Sequence, residues 1–188
     1  MNFRSNPKAL VLDRDGTIIE HVPYLHATEN VVLLPGVRDG LRLAMSAGLR
    51  LFLHTNQSGV GRGMFTIADA ESCTARMIDL LDLGVAPFTR ICTAPEHPSE
   101  PSLYRKPSPR FAQEIMQDFG YEASEIWYVG DRASDMATAE AAGTFGVGVD
   151  TGLQDLTAEL LEQRLMTYPV FPSFDLAIAY ICKQGDRK

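Results

Sequence analysis

Leu10-Val11-Leu12-Asp13-Arg14-Asp15-Gly16-Thr17 is an apolar run that stops abruptly at two carboxylates and a glycine. The run reads as a buried strand. Asp13 and Asp15 stand two apart, so an extended backbone sends both side chains out from one face. Acids held that close repel each other unless a cation lies between them or a proton is shared. The stretch therefore reads either as a metal-and-carboxylate site at a strand tip or as a strand closing in an Asp-Gly turn. What surrounds it decides.

Outward from this strand, residues 16–34 form a long connection with little helical periodicity, containing His21, Pro23, Tyr24 and His26. Loops that long inside a compact domain are usually functional. Pro35-Gly36 opens a helix with Val37, Leu41, Ala44 and Met45 on one stripe, and Gly48 ends it. Residues 49–53 read as the second strand, followed by a polar, glycine-rich loop from His54 to Gly63. Thr66 caps a helix striped by Ile67, Ala70, Cys73, Met77 and Leu81. Residues 88–93 make a third strand. Prolines at 95, 98, 101 and 107 then rule out regular structure over 94–107. Ser108-Pro109 reads as a cap and a first-turn proline, leading Ala112, Ile115, Met116 and Phe119 to a stop at Gly120. A fourth strand over 125–129 ends in Gly130-Asp131-Arg132-Ala133-Ser134-Asp135, and a small-residue helix runs on to Gly143. Residues 145–149 form a fifth strand; the tail adds a helix near 156–165, a strand near 168–171 and a last helix from Ser173.

Strands alternating with helices predict an α/β fold: a central parallel sheet with helices on both faces, in three layers. In such sheets ligands lie beyond the carboxyl ends of the strands, where the strand order switches. The polar residues at 13–17, 54–63, 94–106 and 130–135 all follow strands and converge on that edge.

The 188 residues suffice for one domain with a sizeable core, and 45% hydrophobic with 22% charged residues is ordinary globular composition. No apolar run approaches the ~20 residues of a membrane span. The first eight residues lack the apolar segment of a secretory signal, so the cytoplasm is expected. A net charge of −7 argues against a nucleic-acid partner but leaves room for small phosphorylated ligands. Three scattered cysteines, Cys73, Cys92 and Cys182, make no disulfide framework; Cys73 falls on an apolar stripe and reads as core.

In chain order, Asp13 to Thr17, Thr55-Asn56-Gln57-Ser58-Gly59, Arg105-Lys106-Pro107, and Gly130-Asp131 with Asp135 resemble the four motifs of haloacid-dehalogenase-like (HAD) phosphatases. The match spans residues 8–150. The fuller forms Thr-Asn-Gln-Ser-Gly-x-x-Arg-Gly from 55 and Arg-Lys-Pro-x-Pro from 105 are similar to one branch. It holds D-glycero-D-manno-heptose 1,7-bisphosphate phosphatases and histidinol-phosphate phosphatases. The resemblance implies a Rossmann-like HAD fold in a single domain over 1–188, with 151–188 as a C-terminal strand and helices. No insertion is large enough for a separate cap domain.

The resemblance also implies roles. Asp13 would be the nucleophile, forming an aspartyl phosphate, and Asp15 the general acid and then base. Mg²⁺ would lie between the carboxylates of Asp13 and Asp131 and the backbone carbonyl of Asp15. Thr55, Asn56, Gln57 and Ser58 would hold phosphoryl oxygens, with Lys106 neutralising the transferring group. Asp135 reads two ways: as an aid to the metal or Lys106, or as a favourable acid at a helix N-terminus. Arg105 and Arg132 would grip the far end of the substrate, His21 and Tyr24 would contact it from the first loop, and Arg62 is a further candidate. The other reading makes the arginines solvated surface residues and Tyr24 an ordinary loop residue.

The chain departs from the branch at a structural zinc. Cys-x-His becomes Cys92-Thr93-Ala94, and Cys-x-Cys becomes Ser102-Leu103-Tyr104. Cys92 and His97 remain, and two ligands do not close a tetrahedral site, so zinc is not expected. Arg132 stands where lysine is common. The expected activity is a Mg²⁺-dependent phosphatase acting on a heptose 1,7-bisphosphate as a monomer or small homo-oligomer. Histidinol phosphate or another small phosphomonoester is the second reading, and a non-catalytic scaffold binding a phosphorylated ligand the third.

Overall fold

A computed structural model describes residues 6–165 and 168–185. Among the described residues, six parallel strands form one sheet: β1 (Ala9–Leu12), β2 (Arg50–Asn56), β3 (Phe88–Ala94), β4 (Ile126–Gly130), β5 (Phe145–Val149) and β6 (Val170–Phe171). Their order is β3-β2-β1-β4-β5-β6. β1 lies at the centre, with β2 on one side and β4 on the other, so its carboxyl end is the switch point of the sheet. Asp13 occupies that position, and its N–H extends the ladder to the Val129 carbonyl at 2.9 Å.

The helices are α1 (Val37–Ser46), α2 (Ser58–Gly61), α3 (Ile67–Leu81), α4 (Arg110–Phe119), α5 (Ala133–Ala142), α6 (Leu156–Glu162) and α7 (Phe174–Gly185). Alternation along β1 sends Leu10 and Leu12 to one face, where they join Leu41, Met77 and Ile178 from α1, α3 and α7. Ala9 and Val11 face the other way, onto Phe111 and Ile115 of α4 and Ala139 of α5. Every residue of β1 is buried, as a central parallel strand covered on both faces should be. A smaller cluster seats Leu156 and Leu160 of α6 on Ala133 and Met136 of α5.

Two expected boundaries shift, and two expected core residues prove exposed. β2 continues through His54, Thr55 and Asn56 because parallel pairing with β3 persists to Asn56 against Ala94. The residues expected in a loop are thus strand residues, and His54 and Thr55 are buried. α4 begins at Arg110, one residue after Pro109, while the Ser108 hydroxyl donates to the Leu103 carbonyl. Met45 and Ile67, at the ends of their helices, are exposed rather than core. Among the described residues, no helix is long and apolar enough to cross a membrane.

Candidate active site

The turn after β1 is built around Gly16, whose φ of +82° lets the chain double back so that its N–H reaches the Ile19 carbonyl at 2.8 Å. A Cβ at Gly16 would overlap the carboxylate of Asp131. Arg14 is fully buried. It donates to the Ala70 carbonyl and the Thr74 hydroxyl of α3, each at 3.1 Å, and to both oxygens of Asp15. Asp15 Oδ2 also accepts from Gln57 at 2.8 Å and from the Thr55 hydroxyl at 3.4 Å. Oδ1 takes one Arg14 bond, which leaves it the more available oxygen for a proton.

Beside this acid lies a tighter charge cluster. Lys106, 5% exposed, donates to Asp13 Oδ1 at 2.7 Å and to Asp135 Oδ1. Burial alone would lower the Lys106 pKa, but the charges of Asp13 and Asp135 raise it, and the ammonium is held charged. Carboxylate oxygens of Asp13, Asp131 and Asp135 all lie within 4.8 Å of one another. Burial, then the charges of Asp13 and Asp135, push Asp131 up to about 9. Burial likewise raises Asp135 to about 6 against the pull of Lys106. Among the described residues, Asp131 Oδ2 is buried without a hydrogen-bond partner. Three buried acids face one ammonium, and one of their oxygens is left without a partner among the described residues. Clustered hard oxygens suit Mg²⁺. Both readings of Asp135 meet here: it orients Lys106, and its Oδ2 accepts the Arg132 N–H at the start of α5.

Above the cluster opens a cleft of about 490 Å³. Asp13, Asp15, Lys106, Asn56, Gln57, Ser58, His21, Tyr24, Arg105 and Arg132 all line it. Thr55 is buried behind it, with its hydroxyl given to Asp15, and Arg62 is exposed and outside the lining. Asn56 and Gln57 are less free for a ligand than the motif suggested. The Asn56 amide clamps the Lys106 backbone, accepting from its N–H at 2.9 Å and donating to its carbonyl at 3.3 Å. Arg105 Nη1 and His21 Nδ1 are buried without partners among the described residues, so the wall keeps polar atoms in reserve for a ligand. Burial, then the Arg62 charge, lowers the Arg105 pKa, with Glu96 opposing.

Cys92 and His97, the two zinc-type ligands that this chain keeps, have other contacts. Cys92 packs with Phe52 and Phe111, and burial pushes its thiol up to about 12; His97 bonds Ser99 at 2.7 Å. Hydrogen bonds stitch the loop instead. Gly61 N–H reaches the Pro95 carbonyl at 2.8 Å, and the Arg105 N–H reaches Ser102 Oγ at 2.8 Å. His54 Nε2 lies 2.7 Å from the Tyr104 carbonyl, with Nδ1 3.3 Å from the Tyr128 hydroxyl. His54, Gly152 and Glu159 belong to no motif, and only their contacts reveal a part in the site. Gly152, after β5, closes over Asp131 from above: a Cβ there would overlap Asp131 Oδ2.

A carboxylate at a switch point, an acid held apart from it, and a buried ammonium beneath an open cleft define a phosphoryl-transfer site of the HAD type. The chain belongs to the HAD-like hydrolases. The HAD-hydrolase-like family model matches residues 103–177. A D-glycero-D-manno-heptose-1,7-bisphosphate 7-phosphatase of Chlorobaculum tepidum is 32% identical over 158 residues, covering 77% of this chain and 79% of the relative. One from Thermosynechococcus vestitus is 30% identical, covering 93% and 95%. The chain is also similar to the crystal structure of D,D-heptose 1,7-bisphosphate phosphatase from B. bronchiseptica, complexed with magnesium and phosphate. The TM-score is 0.84 at 25% identity, covering 94% of this chain and 99% of that one.

Proposed function

We propose that the chain is a Mg²⁺-dependent phosphatase that removes the 7-phosphate of a D-glycero-D-manno-heptose 1,7-bisphosphate. The observation that carries this reading is Lys106 held between Asp13 and Asp135, beside the unpartnered oxygen of Asp131. Relatives named for this activity support the substrate. The carboxylates of Asp13 and Asp131, with the Asp15 carbonyl, would hold the metal. When bound, Mg²⁺ supplies the positive charge that lets these acids face a phosphate dianion.

An Asp13 oxygen bonds to phosphorus as the P–O bond to the sugar breaks, and Asp15 gives its proton to the departing alkoxide. Water then attacks phosphorus, Asp15 takes the proton, and the Asp13–phosphorus bond breaks to release phosphate. Lys106 fixes the attacking carboxylate, while Arg14 and Gln57 fix the acid. His21, Arg105 and Arg132 line the cleft where the other phosphate of an extended substrate would lie. β6 extends the sheet, α7 covers it and α6 packs on α5, which supports reading the motif region and the segment after residue 150 as one phosphatase domain.

A non-catalytic scaffold would be expected to have lost a reacting group; Asp13, Asp15, Lys106 and Asp131 are all in place. The test is initial-rate phosphate release from both heptose bisphosphate anomers beside histidinol phosphate. Turnover should favour a heptose bisphosphate, stop with EDTA and fall about 10⁴-fold or more in Asp13→Asn. Turnover that survives EDTA, or a preference for histidinol phosphate, would overturn the reading.

A further inference from the structure

Arg132 lines the cleft, yet half of its guanidinium is already committed. Its Nε donates to Glu159 Oε2 at 3.2 Å, and its Nη2 lies 3.0 Å from Glu159 Oε1. Glu159 Oε2 also accepts the Ala133 N–H at 3.0 Å, at the start of α5. This carboxylate comes from α6, outside every motif. Leu156 and Leu160 anchor α6 on Ala133 and Met136, so the backbone carrying Glu159 is fixed on α5. The Glu159 side chain is 15% exposed against 39% for Arg132, which puts the acid on the inner side of the pair.

A guanidinium has five N–H donors in a rigid fork. With the Nε edge spent on Glu159, the Nη1 end stays available as a two-pronged donor. A free arginine carries rotamer entropy that a ligand must otherwise overcome. Glu159 removes that disorder before substrate arrives. It also places a negative charge near an anionic ligand, so its two effects oppose each other and experiment can separate them.

We infer that Glu159 is a positioning residue for specificity, holding Arg132 ready to receive the second phosphate of a bisphosphate substrate. The inference rests on the function proposed above. The test compares heptose 1,7-bisphosphate with heptose 7-phosphate, which lacks that second phosphate, in wild type and Glu159→Gln. The ratio of kcat/KM for bisphosphate over monophosphate should fall roughly two- to ten-fold, the range expected for ordering one long side chain. The loss should lie in KM. Glu159→Asp keeps the charge, shortens the reach and should move the ratio the same way, so the test stands if the glutamine variant folds poorly. In an Arg132→Ala background, Glu159→Gln should lower the ratio no further.

A merely structural Glu159 would lower the melting temperature and leave the ratio alone. An unchanged ratio, a raised ratio, or an additive loss in the Arg132→Ala background each overturns the inference. If wild type shows no preference for the bisphosphate, it is the proposed substrate that has failed, which is a separate result.

Discussion

In the floor of the cleft, charges answer one another within the fold. Lys106 bridges Asp13 and Asp135, and Arg14, Thr55 and Gln57 all turn on Asp15. The rim is built differently: Arg105 and His21 keep buried polar atoms without partners, and Arg132 is held on one edge only. Strand ends, the first turn of α5 and Lys106 from the proline-rich loop make the floor; loops make most of the rim. A floor that reacts with any phosphate monoester can be rigid and complete before substrate arrives. A rim that selects one must leave donors unspent, since a donor already paired has little left for a ligand. Among the described residues the acids have one exception, Asp131 Oδ2, which is buried without a partner.

Replacing Lys106 by Met breaks the floor and should have the largest effect. Loss of a fixed positive charge at the reacting group should lower kcat about 10²–10³-fold. Removing one partner of a buried ion pair should also cost stability of about 3–5 kcal/mol, read by denaturant unfolding without Mg²⁺. Added Mg²⁺ should restore much of the stability and little of the kcat. A variant that kept wild-type kcat would show that Lys106 serves only the fold.

Gly152→Ala tests the boundary between the two regions. The Thr151 hydroxyl donates to the Gly16 carbonyl at 2.6 Å, which brings the chain after β5 down onto the turn after β1. A methyl group at 152 must displace Asp131 or lift this loop. Half-saturation of activity by Mg²⁺ should move up about 10–100-fold, the usual effect of disturbing the support of a metal ligand. An unchanged Mg²⁺ titration would mean that Asp131 is not a ligand, or that the loop yields freely.

Gly152 also marks how far the sequence could be read. The sheet, its helices and the acids of the floor were legible because each rests on local pattern: alternation, caps, and motifs at strand ends. The extent of β2 was not, because pairing with β3 carries it through residues that look like loop. Asp135 stayed open between two roles because its partner Lys106 is 29 positions away. Gly152 and Glu159 carry no local signal at all. A glycine after a strand and a glutamate on a short helix are ordinary until tertiary contact sets them against Asp131 and Arg132. The fork expected from Arg132 is present, with one edge already taken by an acid that no motif contains.

Within the rim, Arg105 and Arg62 make a matched pair for testing. Arg105 lines the cleft with an unpartnered buried nitrogen, whereas Arg62 is exposed and off the lining. Arg105→Ala should raise KM for heptose bisphosphate about ten-fold, the worth of one charge-assisted contact. Arg62→Ala should change it less than about two-fold, since exposed charges are screened. Equal effects would mean that the rim extends beyond the cleft described.

The smallest effect concerns the residue that ties rim to floor. His54, buried in β2, holds the Tyr104 carbonyl two residues before Lys106 and so fixes the proline-rich loop to the sheet. That contact needs Nε2 to carry a proton while Nδ1 accepts from the Tyr128 hydroxyl, which is a neutral ring. Burial, then the charge of Lys106, holds the His54 pKa down at about 3, with the Tyr104 bond pulling the other way. An unfolded histidine titrates near 6.5, so below that pH the unfolded chain binds a proton that the folded chain refuses. Stability from this residue is complete above pH 6.5 and falls as pH drops towards 3, by up to about 1.4 kcal/mol per pH unit. Asp131 and Asp135, raised when folded, act with the opposite sign over part of this range. Comparing wild type with His54→Gln, which keeps a donor for Tyr104, cancels their contribution. The difference in unfolding free energy between the two should shrink steadily from pH 6.5 to 5, as wild type loses its advantage. Parallel curves would show that the folded ring takes up its proton at the same pH as the unfolded one, and the clasp between floor and rim would then not depend on a neutral ring.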